Sequence, residues 1–182
     1  ITGKNLVVNN AGQACFAGFE GGNYDFTHCT FNNNWSSTKQ RAVYINDYKE
    51  ISTGYQQMSI SSSFKNCIIY GSYNSVELEL DYKFSNIPPI FDHCLIKFSD
   101  ANTTFANKTI YNSIRHGNVE NVNFNITSLD PKFKNANKNQ LNILTGSPAD
   151  NLGQFNSLFD RDIDDVIRTN GNADAGAYQV VP

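Results

Sequence analysis

Polar and apolar positions along the chain repeat as a short block. It reads FTHCTFNNN from Phe26, FKNCIIYGS from Phe64 and FDHCLIKFS from Phe91, with starts 38 and 27 residues apart. Each copy is Phe, any residue, His or Asn, Cys, any residue, then a large apolar side chain. Self-similarity at a drifting period without helical spacing points to a coil of short strands. In a strand, alternate side chains face opposite sides. Phe64 then faces in and Lys65 out, but strict alternation would bury Asn66 and expose Cys67. A left-handed residue at Asn66 resets the alternation, and Asn and His are among the non-glycine types that tolerate positive φ. His28, Asn66 and His93 fill that column, with Asn5 one turn earlier. Three inward ladders follow: Phe26, Phe64 and Phe91; Leu6, Cys29, Cys67 and Cys94; Val8, Phe31, Ile69 and Ile96.

A second column stands at a nearly fixed offset. Leu6 to Cys15 is nine residues and Cys67 to Val76 is nine, while Cys29 to Val43 is fourteen. This alignment stacks Cys15, Val43 and Val76, then Ala17, Ile45 and Leu78. In VELELD, Val76, Leu78 and Leu80 face in, while Glu77, Glu79 and Asp81 face out. The pattern weakens from Asp100 to Asn125, where one or two poorer turns are expected, with Asn112 in the asparagine column. The predicted fold is all-β: a right-handed parallel β-helix over 1–126, with an irregular C-terminal cap over 127–182. A β-helix beginning at Ile1 leaves a bare edge, so the rest of a longer chain or another protein is expected to cover it.

Composition agrees with a strand-rich core. Hydrophobic residues make up 40 %, enough for one domain, and the 13 Phe and 9 Tyr suit strands. The 26 Asn residues cluster near strand ends, as a chain with frequent turns requires. A net charge of −3 provides no basic field for nucleic acid. No apolar run approaches the roughly 18 residues of a membrane span. The cysteines lack a CxxC or a secreted framework, so free buried thiols are expected. His28 and His93 sit two strand layers apart, roughly 9–10 Å, too far to share one ion.

The tail carries a resemblance. Asp130, Pro131 and Phe133 are followed by Ser147, Pro148, Ala149 and Gly153. Asp162, Asp164 and Arg168 come next, then Asp174, Gly176, Ala177 and Tyr178. This order resembles the C-terminal end of right-handed β-helix surface proteins of Bacteroidetes-type bacteria, of the choice-of-anchor Q kind. Asp165 stands where such proteins often have Gly. The resemblance implies a secreted or surface-anchored protein of the bacterial outer membrane and a link to carbohydrate. The residues of the acidic segment give Arg168 an internal role, as partner of Asp162, Asp164 or Asp174.

The candidate site is an outward strip of Phe16, Tyr44, Asn46, Glu77, Glu79 and Asp81. Stacked carboxylates could take Ca²⁺ through oxygen ligands, and aromatic rings beside acids and amides suit sugars. No cofactor is required by any motif. The expected function is non-catalytic binding of carbohydrate or protein by part of a larger envelope protein. The alternative is the C-terminal part of a polysaccharide lyase or glycoside hydrolase, which needs a base that no motif places.

Overall fold

The computed structural model describes residues 1–35, 40–71, 76–99, 109–111, 114 and 125–180. Its strands in chain order are β1 (Thr2–Lys4), β2 (Val7–Asn9), β3 (Ala14–Gly18), β4 (Gly22–Thr27), β5 (Thr30–Asn33) and β6 (Arg41–Asn46). Then come β7 (Tyr48–Ile51), β8 (Gly54–Gln57), β9 (Ile60–Lys65), β10 (Ile68–Gly71) and β11 (Leu78–Asp81). The remainder are β12 (Ile90–Asp92), β13 (Leu95–Ile96), β14 (Ile126–Thr127), β15 (Phe133–Asn135) and β16 (Gln140–Ile143). Three sheets are parallel, ordered β1-β4-β9-β12, β14-β13-β10-β5-β2 and β11-β6-β3. Two antiparallel ribbons, β7-β8 and β15-β16, stand beside them.

The all-β class holds, but the expected right-handed parallel β-helix does not. The strands form several separate short sheets, and no solenoid is evident among the described residues. The repeat specifies which blocks pair, not that the pairing continues. Among the described residues, the third sheet ends at β11, the first at β12, and only two-residue strands extend the second beyond β10. Where further turns were expected, a 3₁₀ turn over Thr109–Tyr111 puts Ile110, Tyr111 and nearby Ile114 into the core. Tyr111 stacks on Phe98 at 5.0 Å, and its hydroxyl accepts from the Leu80 amide at 2.8 Å. Asn112 lies outside the described residues.

The local logic of the repeat is observed. His28, Asn66 and His93 each have φ of 52°, and Asn5 has 47°. Phe26, Phe64 and Phe91 are buried and pair in register, with ring centroids 5.3 and 5.1 Å apart. Burying each such side chain contributes roughly 1.5–3 kcal/mol. Cys29, Cys67 and Cys94 are buried free thiols in the same core.

The tail lies against the outward face of the second sheet. Ile143, Ala149 and Ala175 pack with Ile68 and Leu95. The Gly176 amide donates to the Asn66 carbonyl at 2.8 Å, and that of Ala177 to Thr30 Oγ1 at 3.0 Å. Leu141 and Ile143 of the tail are buried, while Phe133 and Tyr178 are half-buried. Asp162 and Asp174 are buried acceptors for tail amides, among them those of Val166, Gln179, Asn151 and Val180. Buried Arg168 donates to the carbonyls of Arg161, Gly176 and Ala177. Asp162, Asp174 and Arg168 are therefore internal scaffolding, while Asp160, Asp164 and Asp165 are exposed. Burial lowers the Arg168 pKa, and the nearby Asp162 and Asp174 charges oppose that.

Candidate functional site

The third sheet presents one face to the core and one to solvent. Val43 and Ile45 of β6, with Leu78 and Leu80 of β11, are buried inward. Tyr44, Glu79 and Asp81 therefore point outward. Tyr44 lies between Ala17 and Glu79 on the neighbouring strands, and Asp81 pairs with Asn46. The carboxylates are held by their neighbours. Arg41 Nε sits 3.1 Å from Glu79 Oε2. Asp81 Oδ2 accepts from the hydroxyls of Tyr44 at 3.0 Å and Tyr48 at 2.6 Å, while Lys83 Nζ is 3.9 Å from Oδ1. Burial, then the Asp81 charge, raises the Tyr44 pKa, so this hydroxyl remains a donor. Lys83 also lies 4.4 Å over the Tyr48 ring and 4.5 Å over that of Tyr55.

Two members of the expected strip are elsewhere. Phe16, rather than Cys15, pairs with Val43. A one-residue slip exchanges the faces of a strand, so Phe16 turns inward, edge-on to Tyr24 and Phe26 at 5.0 and 4.8 Å. Val43 pairs with Leu78 instead of Val76, a two-residue slip that preserves the faces but leaves Glu77 before the strand. Glu77 is fully buried, and its Oε2 accepts from the Ala42 amide at 3.0 Å. Gly71 makes room for it: a Cβ there would lie 2.6 Å from Glu77 Cδ. Asn46 is also buried, and its Oδ1 accepts from the Glu20 amide at 2.7 Å, holding the left-handed turn at Glu20. Tyr44, Glu79 and Asp81 remain on the open face, and Asn46 lines the depression beside Tyr44.

Their surroundings include residues the strip omitted. Phe19, 59 % exposed, lies 5.3 Å from the Tyr44 ring. These two rings border both a cavity of about 490 Å³ reaching Ala14 and Arg41, and one of about 360 Å³ reaching Glu20, Tyr48 and Glu50. The depressions thus adjoin across the Phe19–Tyr44 pair. Tyr48 and Tyr55 continue the aromatic line on the β7-β8 ribbon, 4.9 Å apart and edge to face. Alternation through Ala17 signals that Phe19 is outward, once Phe16 is placed inward. The pairing of β7 with β8 needed its turn at Gly54.

Among the described residues, no group of three or more His, Cys, Asp or Glu side chains is arranged to hold a metal ion. No family model, curated protein or solved structure matches the chain.

Proposed function

We propose that this chain is a non-catalytic, glycan-binding part of a larger secreted or surface-anchored envelope protein. The groove flanked by Phe19 and Tyr44 is its binding site. The observation carrying this reading is the exposed Phe19 ring beside Tyr44 at the junction of the two depressions. Ring faces offer an apolar platform for sugar C–H groups, and a few fixed polar groups orient the hydroxyls. Here those groups are the Arg41–Glu79 pair, Glu20 and Glu50. A lyase or hydrolase centre would need a group free to move a proton. Glu79 and Asp81 are instead occupied by a guanidinium and two hydroxyls. The tail's resemblance to surface-anchored proteins supports the envelope setting. β1, β2 and β3 each lie at a sheet edge, which supports a further segment or partner protein pairing there.

Isothermal titration with neutral and acidic oligosaccharides tests the proposal. Wild type gives binding heat, and Phe19→Ala weakens binding about tenfold or more, the scale of losing one aromatic anchor. Tyr55→Ala, also at the surface, has a smaller effect in the same direction. Absence of heat with every glycan, or an unchanged Phe19→Ala isotherm, would reject the groove as the site.

A further inference from the structure

A second cavity, of about 350 Å³, lies on another side of the molecule, between the second parallel sheet and the tail. Its floor comes from the sheet's outward face. Asn9 pairs with Asn32, Asn32 with Tyr70, and Lys97 follows the last residue of β13. Its other wall is the tail, through Asp130, Lys132 and Phe133. The Tyr70 and Phe133 rings meet edge to face at 6.4 Å.

One group here lacks a partner among the described residues. Asn32 is fully buried and lines the cavity, yet its Oδ1 accepts no hydrogen bond from them. Its orientation is set by neighbouring amides. Asn32 Nδ2 donates to Asn9 Oδ1 at 2.9 Å, while Asn9 Nδ2 donates to the Ala136 carbonyl and to Asn139 Oδ1. Rotating the Asn32 amide would set two carbonyl oxygens against each other. A buried acceptor left without a donor is costly, and such exceptions call for a missing partner.

The charges around it are specific. Lys97 Nζ donates to the Gly71 carbonyl at 2.5 Å and lies 4.9 Å over the Tyr70 ring. Lys132 Nζ donates to the Gly146 carbonyl at 2.7 Å. Each ammonium has further donors available. Burial lowers the Lys97 pKa, opposed by the Glu77 and Asp130 charges. Asp130 is the third charged group lining the cavity, and its Oδ1 accepts from the Lys132 amide at 2.8 Å. The lining thus presents two ammonium groups and one carboxylate, together with an acceptor requiring a donor.

The geometry points to a binding site for a sugar acid, a uronic acid residue whose carboxylate meets Lys97 and Lys132 and whose hydroxyls donate to Asn32 Oδ1 and Asp130. A simple oxyanion could answer the lysines but would bring no hydroxyl for Asn32. A neutral sugar could supply the hydroxyl but would leave the two ammonium groups with Asp130 as the one carboxylate lining the cavity. The Tyr70 and Phe133 rings supply the apolar wall for the sugar ring. This site does not rest on the Phe19–Tyr44 groove and shares no lining residue with it.

Titrations of the intact chain with digalacturonate, neutral galactobiose and inorganic sulfate test it. Digalacturonate is expected to bind about tenfold or more tighter than either competitor, as charge-assisted pairing with hydroxyl contacts requires. Lys97→Gln and Lys132→Gln should each weaken digalacturonate binding about fivefold or more, with galactobiose binding unchanged. Lys132 is exposed, so its variant carries the test if Lys97→Gln fails to fold. Phe19→Ala should leave digalacturonate binding at this site unchanged. No digalacturonate binding, equal affinity for sulfate or galactobiose, or indifference to Lys132→Gln would overturn the proposal. Loss on Phe19→Ala would assign the sugar acid to the groove and overturn it as well.

Discussion

His28 occupies its turn as a neutral ring. It is fully buried, with Nδ1 donating to the Asp174 carbonyl at 3.1 Å and Nε2 accepting from Asn66 Nδ2 at 2.9 Å. Burial, then the nearby Arg168 charge, pushes its pKa down to about 3. The unfolded ring takes up a proton below about 6.5. Between these limits the unfolded chain holds the extra proton, so this residue's contribution to stability is present above 6.5 and lost as pH falls toward 3. The wild-type protein should therefore lose stability on acidification faster than His28→Asn, by up to about 1.4 kcal/mol per pH unit within that window. Asn suits the backbone, since Asn5 and Asn66 hold the same conformation. Urea unfolding of both proteins from pH 7 to 4 measures the difference, and parallel curves would refute a neutral, buried His28. The turn column was legible because few side chains tolerate φ of 52°. The role of Asp174 was not, since its partner His28 lies 146 residues away.

At the scale of elements, the first two parallel sheets were readable because each copy of the repeat carries its own Phe, turn residue and Cys. The third sheet was harder. Its register depends on connections of different length, and offsets from Leu6 and Cys29 place Cys15 where Phe16 belongs. Glu77 read as outward because alternation was extended one residue before the strand, into a position filled by a buried carboxylate. Arg168 reads as an internal partner of Asp162, Asp164 or Asp174; it is buried, but its donated bonds go to the carbonyls of Arg161, Gly176 and Ala177. Small residues allow the tail to lie flat on the second sheet, and Gly176 packs close against it. With φ of 94°, a Cβ there would lie 2.7 Å from Ile68 Cδ1 and 2.8 Å from Thr30 Oγ1. Gly176→Ala should destabilise the protein by about 1–3 kcal/mol through backbone strain and overpacking. An unchanged urea midpoint would show that the tail does not press on the sheet there.

For the whole molecule, the site follows from which faces the sheets leave open. The tail lies on the second sheet's outward face and leaves a cavity beside Tyr70 and Lys97, and the third sheet's outward face is lined by Phe19, Tyr44 and Glu79. Half of the candidate strip could be read from VELELD and Tyr44. Phe19 and Tyr55 needed the fold to bring a turn and a ribbon beside them. The most direct test of a glycan groove is amide chemical-shift mapping during titration with the oligosaccharide that gives the largest binding heat. The account predicts saturable shifts clustered at Ala17, Phe19, Tyr44 and Glu79, with the β1, β2 and β3 edges undisturbed. Shifts confined to those edges, or none along the groove at saturation, would contradict it.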